Sequence, residues 1–251
     1  MRYLFLLMFV FSCSFCFSQV VNVETLRKPS DSTKWTGSAS LDISLIKNAN
    51  RIFKIQNNFH VQYKNEKDLW LFLNDLNFQR LEGSSFVNKG IQHLRYNRKL
   101  SETIRWEAFV QSQYDAISSI DFRGLVGTGP RFKLSQSDDY RIYVGTLVMY
   151  EYEKADATIM NRIEEATRGS AYLSFSFYPT ENLSIISTSY YQPKLDEWND
   201  YRLSSDTSLL LRIFERLAFK VNFVYKYDAV PVSPEIPKAQ YELTNGLSYT
   251  F

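Results

Sequence analysis

From residue 34 onward, apolar and polar side chains alternate along the chain with a period of two. Successive side chains of a β-strand point to opposite faces, so this alternation predicts strands with one apolar and one polar face. Turn-forming or charged residues separate the stretches. The predicted strands span residues 34–46, 51–63, 68–81, 85–98, 102–115, 119–134, 139–153, 166–178, 181–192, 198–213, 215–228 and a last stretch after the loop 229–238. The pattern therefore predicts an all-β protein of about twelve strands.

The two faces are clear in most stretches and weak in two of them. In the fourth stretch, Leu94 and Tyr96 set the apolar face and place His93 on the other side. In the ninth stretch, Ile185 and Ile186 are adjacent, so either face can be the apolar one. A third irregularity is expected in the sixth stretch. Pro130 has no amide hydrogen for a ladder, so we expect a β-bulge there.

Alternation alone does not separate a membrane protein from a soluble one, because a soluble sandwich or lipocalin-like barrel alternates as well. Two features favour the membrane. The stretches exceed the usual soluble strand of about 5–6 residues and cover the roughly 9–11 tilted residues that a bilayer needs. Aromatic residues stand near the ends of the apolar faces: Trp35, Tyr63, Trp70, Tyr96, Trp106, Tyr152, Tyr227 and Tyr241. We expect a membrane-spanning antiparallel up-and-down β-barrel, with a soluble secreted β protein as the alternative.

An even number of strands places both ends of the barrel on the same side, the periplasmic side in bacterial barrels. The two longest connections, 154–164 and 229–238, follow the seventh and eleventh stretches. Both are therefore expected on the extracellular rim, where outer-membrane barrels carry their longer loops. The predicted location is the outer membrane of a Gram-negative bacterium.

The beginning of the chain has the pattern of a secretory signal peptide. Arg2 precedes the apolar run 3–17, and small Ser18 precedes polar Gln19. The run is too short for a spanning helix, so we expect residues 1–18 to be a signal peptide. Residues 19–33 are expected to be a periplasmic lead-in and 34–251 the barrel. Both cysteines, Cys13 and Cys16, lie in the signal segment, so the processed chain would form no disulfide.

The last seven residues alternate and end on an aromatic side chain. The spacing of Gly246, Tyr249 and Phe251 resembles the assembly signal of outer-membrane barrels. The partners that this implies are outer-membrane lipid and, during insertion, the barrel-assembly machinery. Deletion of Phe251 is expected to impair insertion before it impairs any activity, which the amount of protein in the membrane fraction would show.

Three segments resemble an uncharacterised family of salt-induced outer-membrane proteins. They are residues 34–39 (KWTGSA), 106–115 (WEAFVQSQYD) and 123–131 (RGLVGTGPR). The resemblance covers roughly residues 34–251. It implies an outer-membrane location and a link to salt or osmotic response, and it brings no established activity.

Composition and motifs exclude several functions. The 29 basic and 27 acidic side chains nearly balance, which gives no electrostatic reason to expect nucleic acid as a partner. The two histidines, His60 and His93, fall on the polar face and have no metal-ligand motif near them. We expect no catalytic residues, no metal and no cofactor. The alternative is an outer-membrane enzyme acting on lipid or peptide. The oligomeric state stays open.

Charged side chains on the predicted lumen face separate by height when strand direction is taken into account. Candidates toward the extracellular mouth are Asp115, Asp121, Arg123, Glu151, Glu153 and Lys226. Those toward the periplasmic end are Arg105, Glu107, Arg131, Lys133 and Arg141, and Lys220 also lies on this face. One interpretation is a salt-bridged interior that fills space. The other is a polarised lumen that biases ion entry.

Twelve strands lie between barrels filled by side chains and wide porins with open channels. The predicted function is therefore a structural or small-solute or ion pore protein. In a pore, charge reversal at Arg131, Lys133 and Arg141 is expected to change ion selectivity.

Overall fold

The structure is a computed structural model that describes residues 34–47, 51–81, 84–135, 137, 139–155, 162–215, 217–231 and 236–249. The predicted signal peptide 1–18, the lead-in 19–33 and Phe251 lie outside the described residues. Within those ranges, there is no helix long and apolar enough to cross a membrane.

Twelve antiparallel strands form one sheet in which each strand pairs with its neighbours in sequence. The strands are β1 (Trp35–Lys47), β2 (Arg51–Lys64), β3 (Asp68–Leu81), β4 (Ser84–Lys99), β5 (Ile104–Asp115), β6 (Ile120–Lys133), β7 (Tyr140–Ala155), β8 (Ile163–Thr180), β9 (Leu183–Pro193), β10 (Tyr201–Phe214), β11 (Leu217–Asp228) and β12 (Ala239–Tyr249). The predicted all-β, up-and-down antiparallel fold of twelve strands is confirmed. The largest boundary differences are three residues, at β8, which begins at Ile163 and not at residue 166, and at β10, which begins at Tyr201 and not at residue 198.

The three longest connections lie at one rim. Those of 156–162, 194–200 and 229–238 follow the odd strands β7, β9 and β11, so they share this rim, here called the long-loop rim. The connections 65–67, 100–103, 134–139, 181–182 and 215–216 follow even strands at the opposite, short-turn rim. The prediction that the two long connections share a rim is confirmed.

The strand faces that the sequence left uncertain are defined by burial. On β4, Leu94 is exposed, whereas His93 and Arg95 are buried. On β9, Tyr190 and Gln192 are buried while Tyr191 is exposed, so even-numbered residues of that strand face the interior. Ile186 therefore lies on the interior face and Ile185 on the outer face.

The bulge expected at Pro130 is absent, and this prediction was wrong. Pro130 pairs with Trp106 of β5 in a regular register. On the β7 side, the pairs Thr128 with Val148 and Arg131 with Gly145 keep the same register across the proline. The ladder therefore only skips a position there, since the missing amide hydrogen removes a bond without requiring an extra residue. Register shifts on β6 occur instead near Ile120.

The sheet curls so that strands far apart in sequence meet across its interior face. The hydroxyl of Tyr172 on β8 donates to Glu107 on β5 over 2.7 Å. Lys226 on β11 lies within electrostatic range of Lys89 on β4 and Asp115 on β5. In the described part of the chain, β1 pairs with β2 and β12 with β11, and no ladder joins β1 to β12.

The outer face of the sheet is apolar and exposed. Leucine, valine and phenylalanine side chains from all around the sheet are exposed there, among them Leu41, Phe72, Leu94, Val110, Val126, Val148, Leu173, Phe223 and Leu243. Aromatic pairs stand at both rims. Trp35 stacks on Tyr63 at the short-turn rim, with ring centroids 4.7 Å apart. Tyr201 stacks on Tyr227 at the long-loop rim, at 5.7 Å. The apolar band is thus bordered by aromatic rings on both sides.

Candidate functional site

The interior of the curled sheet is the candidate site because charged side chains converge there from seven strands. Alternation places the polar face of each strand inward, and the curl brings these faces together. Two clusters result. The upper cluster, toward the long-loop rim, consists of Arg123, Glu151, Glu153, Arg168, Asp200, Arg202 and Asp228. The lower cluster, toward the short-turn rim, consists of His93, Arg95, Glu107, Arg131 and Tyr172.

Glu151 is the centre of the upper cluster. Its side chain has 0% exposure and forms ion pairs with three arginines. Arg202 reaches both carboxylate oxygens, at 2.7 and 2.8 Å. Arg168 approaches from β8 at 3.3 Å and Arg123 from β6 at 2.5 Å. Charge-assisted hydrogen bonds of this kind are the strong class, so Glu151 ties three strands to β7.

The other carboxylates of the upper cluster complete the pairing of these arginines. Arg168 donates to Asp200 Oδ1 over 2.9 Å, which holds the β9–β10 connection against the interior. Arg202 donates from Nε to Asp228 Oδ2 over 2.9 Å and pairs with Glu153 at 3.2 Å. The cluster therefore spans β6, β7, β8, β10 and β11 and fills the interior beneath the long connections.

The lower cluster is built around Glu107, which is also fully buried. Arg95 and Arg131 lie 3.6 and 3.3 Å from its two oxygens. The guanidinium of Arg131 also lies 4.0 Å from the centroid of the Tyr143 ring, a cation–π contact. Together with the bond from Tyr172, these contacts connect β4, β5, β6, β7 and β8 below the upper cluster.

His93 belongs to a chain of hydrogen bonds that extends the lower cluster. Its Nδ1 lies 2.8 Å from Gln111 Oε1, and Arg95 Nε donates to its Nε2 over 3.3 Å. An arginine can only donate, so Nε2 accepts and Nδ1 carries the proton. His93 is thus a buried structural histidine and not a base open to solvent.

Gly145 makes the position of Tyr172 possible. A Cβ on Gly145 would overlap the ring of Tyr172, whose hydroxyl binds Glu107. We expect Gly145→Val to displace this ring and destabilise the protein by about 2–4 kcal/mol, the range of buried overpacking and lost hydrogen bonds. Urea unfolding in lipid vesicles would measure the loss. Gly169→Val is the control, because an added Cβ there meets only side-chain atoms of Leu195 and Pro193, at 3.4 Å or more. Equal unfolding midpoints for the two variants would contradict this account.

A small cavity separates the two clusters. It measures about 30 Å³ and is bordered by Arg95, Gln111, Arg123, Tyr190 and Gln192, with Leu147 and Met149 on its apolar side. That volume admits one or two water molecules or a single small ion. Buried side chains of the two clusters occupy much of the interior beside β4–β9.

The opposite part of the interior is more accessible. Interior-facing Ser38, Ser40 and Asp42 on β1, Lys220 on β11 and Thr244 on β12 are exposed. On β2, Asn58 donates to Ser40 over 3.4 Å, and His60 lies 2.7 Å from Asp75 of β3. We call this lining of β1, β2, β11 and β12 the polar wall. Hydroxyl, amide and charged groups alternate along it.

The residues predicted from sequence to line the lumen fall into three groups. Arg123, Glu151 and Glu153 belong to the upper cluster, and Glu107 and Arg131 to the lower one. Lys220 and Lys226 lie on the polar wall, with Lys220 exposed and Lys226 half-buried. Arg105, Lys133 and Arg141 are half-buried near the short-turn rim. The structure thus brings five of these side chains into two clusters and leaves the others apart.

Asp115 and Asp121 do not lie free in the lumen. Asp115 is buried and accepts hydrogen bonds from the amide of Ile117 at 2.9 Å and the hydroxyl of Ser118 at 3.2 Å, so it orders the β5–β6 turn. Asp121 differs from its predicted position. The register shift between Ile120 and Phe122 turns it out of the interior, where it is exposed and pairs with Lys154 at 3.5 Å.

Sequence reasoning missed two important members of the clusters, Arg168 and Tyr172. Both are buried and share the interior parity of β8. Ala171 and Leu173 occupy the apolar positions of this stretch, so its alternation already places Arg168 and Tyr172 on the opposite, interior face. For Gly246 and Tyr249 of the predicted assembly signal, the structure gives the strand pairing. Gly246 pairs with Lys220 and Tyr249 with Leu217 through the β11–β12 ladder. No group of three His, Cys, Asp or Glu that could hold a metal occurs in the described ranges.

Fold and interior together define a class of protein: an antiparallel twelve-stranded sheet with an apolar outer face and buried ion-pair clusters inside. The chain belongs to the family described as "Protein of unknown function, DUF481", whose model matches residues 54–251. No curated protein matches the chain.

Solved structures similar to the chain include a porin, a hydrocarbon channel and the β domain of an autotransporter, each at low sequence identity. The NanC porin is 8% identical, with a TM-score of 0.48, covering 84% of this chain and 100% of the porin. The CymD monoaromatic hydrocarbon channel is 8% identical, with a TM-score of 0.46, and the match covers 88% of this chain and 80% of the channel. The β domain of the Bordetella autotransporter BrkA is 9% identical, with a TM-score of 0.35, covering 86% and 97%.

Proposed function

We propose that the chain is an outer-membrane β-barrel that passes ions or small hydrophilic solutes through a narrow route along the polar wall. The exposed apolar band supports the membrane location, because a soluble protein rarely exposes such an extended apolar surface. A sheet in lipid must also satisfy its edges. Pairing of β1 with β12 to close the barrel is therefore part of the proposal.

One observation carries the proposed function: the interior is occupied by buried ion pairs on one side and lined by accessible polar groups on the other. The two ion-pair clusters occupy the side of β4–β9, and the cavity between them measures about 30 Å³. The polar wall keeps exposed hydroxyl and charged groups on β1, β11 and β12. A route confined to this wall would be far narrower than the channel of a 16-stranded porin.

The resemblance to salt-induced outer-membrane proteins makes a role in salt or osmotic response part of the same proposal. A narrow route with polar walls suits inorganic ions and small osmolytes better than large nutrients. Comparing the growth of a deletion strain and its parent on raised NaCl, and on sucrose of equal osmolarity, would test this role.

The pore is tested by conductance in planar bilayers, with Lys220→Glu as the informative variant. Lys220 is exposed on the polar wall, so its reversal is expected to shift the reversal potential toward cation selectivity while the unfolding midpoint stays unchanged. Glu165→Lys is the control, because Glu165 lies exposed at the outer face, where Tyr150 donates to it over 2.7 Å. If the folded wild-type protein showed no conductance in planar bilayers, the pore would be refuted and a structural barrel would remain.

One contact favours the second candidate, an outer-membrane enzyme. His60 and Asp75 lie 2.7 Å apart on the polar wall, in the way a carboxylate orients a catalytic base. In the described part of the chain, however, no hydroxyl or thiol hydrogen-bonds to His60. Hydrolysis of phospholipid or peptide substrates that is lost in His60→Ala would support the enzyme over the pore.

A further inference from the structure

An unusual row of amide side chains crosses the outer face of the sheet. The side-chain amide of Gln92 on β4 donates to Asn74 Oδ1 on β3 over 3.1 Å. The hydroxyl of Ser112 on β5 donates to Gln92 Oε1 over 2.8 Å. The three residues lie directly opposite one another in the ladders of β3, β4 and β5. They form a continuous polar row within the apolar band.

The neighbours of this row show that it lies on the outer face, between the rims. Phe72 and Leu94 are exposed outer-face residues two positions from Asn74 and Gln92, and Val110 is exposed two positions from Ser112. The tilted aromatic pair Trp70 and Tyr96 borders the band at the short-turn rim. In the proposed membrane location, the row would face hydrocarbon and not headgroups.

A fourth residue, Asn57 on β2, lies diagonally beside the row, because Asn74 itself pairs with Phe59. Asn57 pairs with Leu41 on one side and Leu76 on the other, both outer-face residues. Among the described residues, none donates to its carboxamide oxygen, which is buried. Asn57, Asn74, Gln92 and Ser112 are here called the amide patch.

The amide patch has more hydrogen-bonding capacity than its internal bonds use. A carboxamide provides two donors and two acceptor sites. The internal row uses the oxygen of Asn74 and, on Gln92, one donor and the oxygen. The remaining donors of Asn74 and Gln92 would meet lipid tails, which accept no hydrogen bonds. Elsewhere on the outer face, Ser187 with Thr207 and Ser189 with Ser205 form simple hydroxyl pairs, which leave far less capacity unused.

We infer that the amide patch is an interface at which two copies of this chain associate within the membrane, an inference that rests on the proposed membrane location. The patch is uncharged and carries both donors and acceptors, so it is complementary to itself across a two-fold axis. Side-chain amides hydrogen-bond across contacts between membrane proteins in this way. A lipid headgroup would instead require charge, and the patch has none.

Disulfide crosslinking tests the inference without altering the patch. The processed chain is expected to contain no cysteine, so Leu94→Cys places a single thiol beside Gln92. Leu173→Cys is the matched control, because Leu173 is also an exposed outer-face leucine and lies on β8. Under mild oxidation in native membranes, the first variant is expected to give about tenfold more crosslinked dimer than the second. Adding Asn74→Leu and Gln92→Leu should reduce the yield to that of the control.

Three results would overturn the inference, and they differ in what else they affect. Equal dimer yields from Leu94→Cys and Leu173→Cys, in protein that is membrane-inserted and heat-modifiable on gels, would refute the interface and leave the proposed barrel intact. A crosslink to another protein, or a yield unaffected by the two leucine substitutions, would exclude a second copy held by these amides. Absence of the wild-type protein from the membrane fraction would refute the membrane location itself.

Discussion

Replacing Glu151 with glutamine is expected to lower the free energy of unfolding by about 3–5 kcal/mol, the cost of removing one partner from a buried ion pair. The side chain is 0% exposed, and three arginines from β6, β8 and β10 converge on it. A glutamine keeps the shape but loses the charge and one acceptor oxygen. Arg123, Arg168 and Arg202 would then share Glu153, Asp200 and Asp228, and the buried positive charge would be incompletely compensated.

Urea unfolding of the barrel in lipid vesicles, followed by tryptophan fluorescence and by gel mobility, measures this loss. Glu165→Gln is the control, because Glu165 lies on the neighbouring strand β8 but is exposed. Exposed pairs contribute little to stability, so the control should unfold at the wild-type urea concentration. If Glu151→Gln also unfolded there, the upper cluster would be no more than a solvated set of charges.

The sequence predicted the strands well because every strand has an apolar outer face. Alternation needs only that one face meets an apolar environment and the other does not. On β11, where Phe219, Val221 and Phe223 alternate with Lys220 and Asn222, both the strand and its faces were correct. The same rule gave the interior positions of Glu107 and Glu151 from their parity alone.

Parity could not show which interior charges form clusters and which remain accessible. That depends on curvature, which brings Tyr172 of β8 to Glu107 of β5 across two intervening strands. It also depends on register irregularities. The register shift near Ile120 turns Asp121 outward, and the alternation of apolar and polar residues in β6 does not predict this shift. The prediction of an acidic extracellular mouth and a basic periplasmic end assumed a single lumen. The structure instead has two buried ion-pair clusters and an exposed polar wall.

The distinction between clusters and wall changes what charge reversal should do. Arg131, Lys133 and Arg141 were grouped from the sequence as determinants of selectivity. In the structure, Arg131 is 2% exposed between Glu107 and the ring of Tyr143, whereas Lys133 and Arg141 are half-buried near the short-turn rim. In the proposed pore, only Lys133 and Arg141 are placed to act on passing ions.

Arg131→Glu is therefore expected to prevent folding of the barrel, while Lys133→Glu combined with Arg141→Glu should fold and shift the reversal potential. In the wild-type protein, the guanidinium of Arg131 lies 3.3 Å from the carboxylate of buried Glu107. Arg131→Glu replaces this guanidinium with a second carboxylate and removes the contact with the ring of Tyr143. Like charges in a buried site should destabilise the protein by more than about 4 kcal/mol. Heat-modifiable mobility reports folding, and bilayer recordings report selectivity.

The charge swap Arg131→Glu with Glu107→Arg should restore part of the folded band, because it re-forms an opposite-charge pair in the same place. A folded Arg131→Glu single variant with altered selectivity would show instead that Arg131 lines the route of the ions.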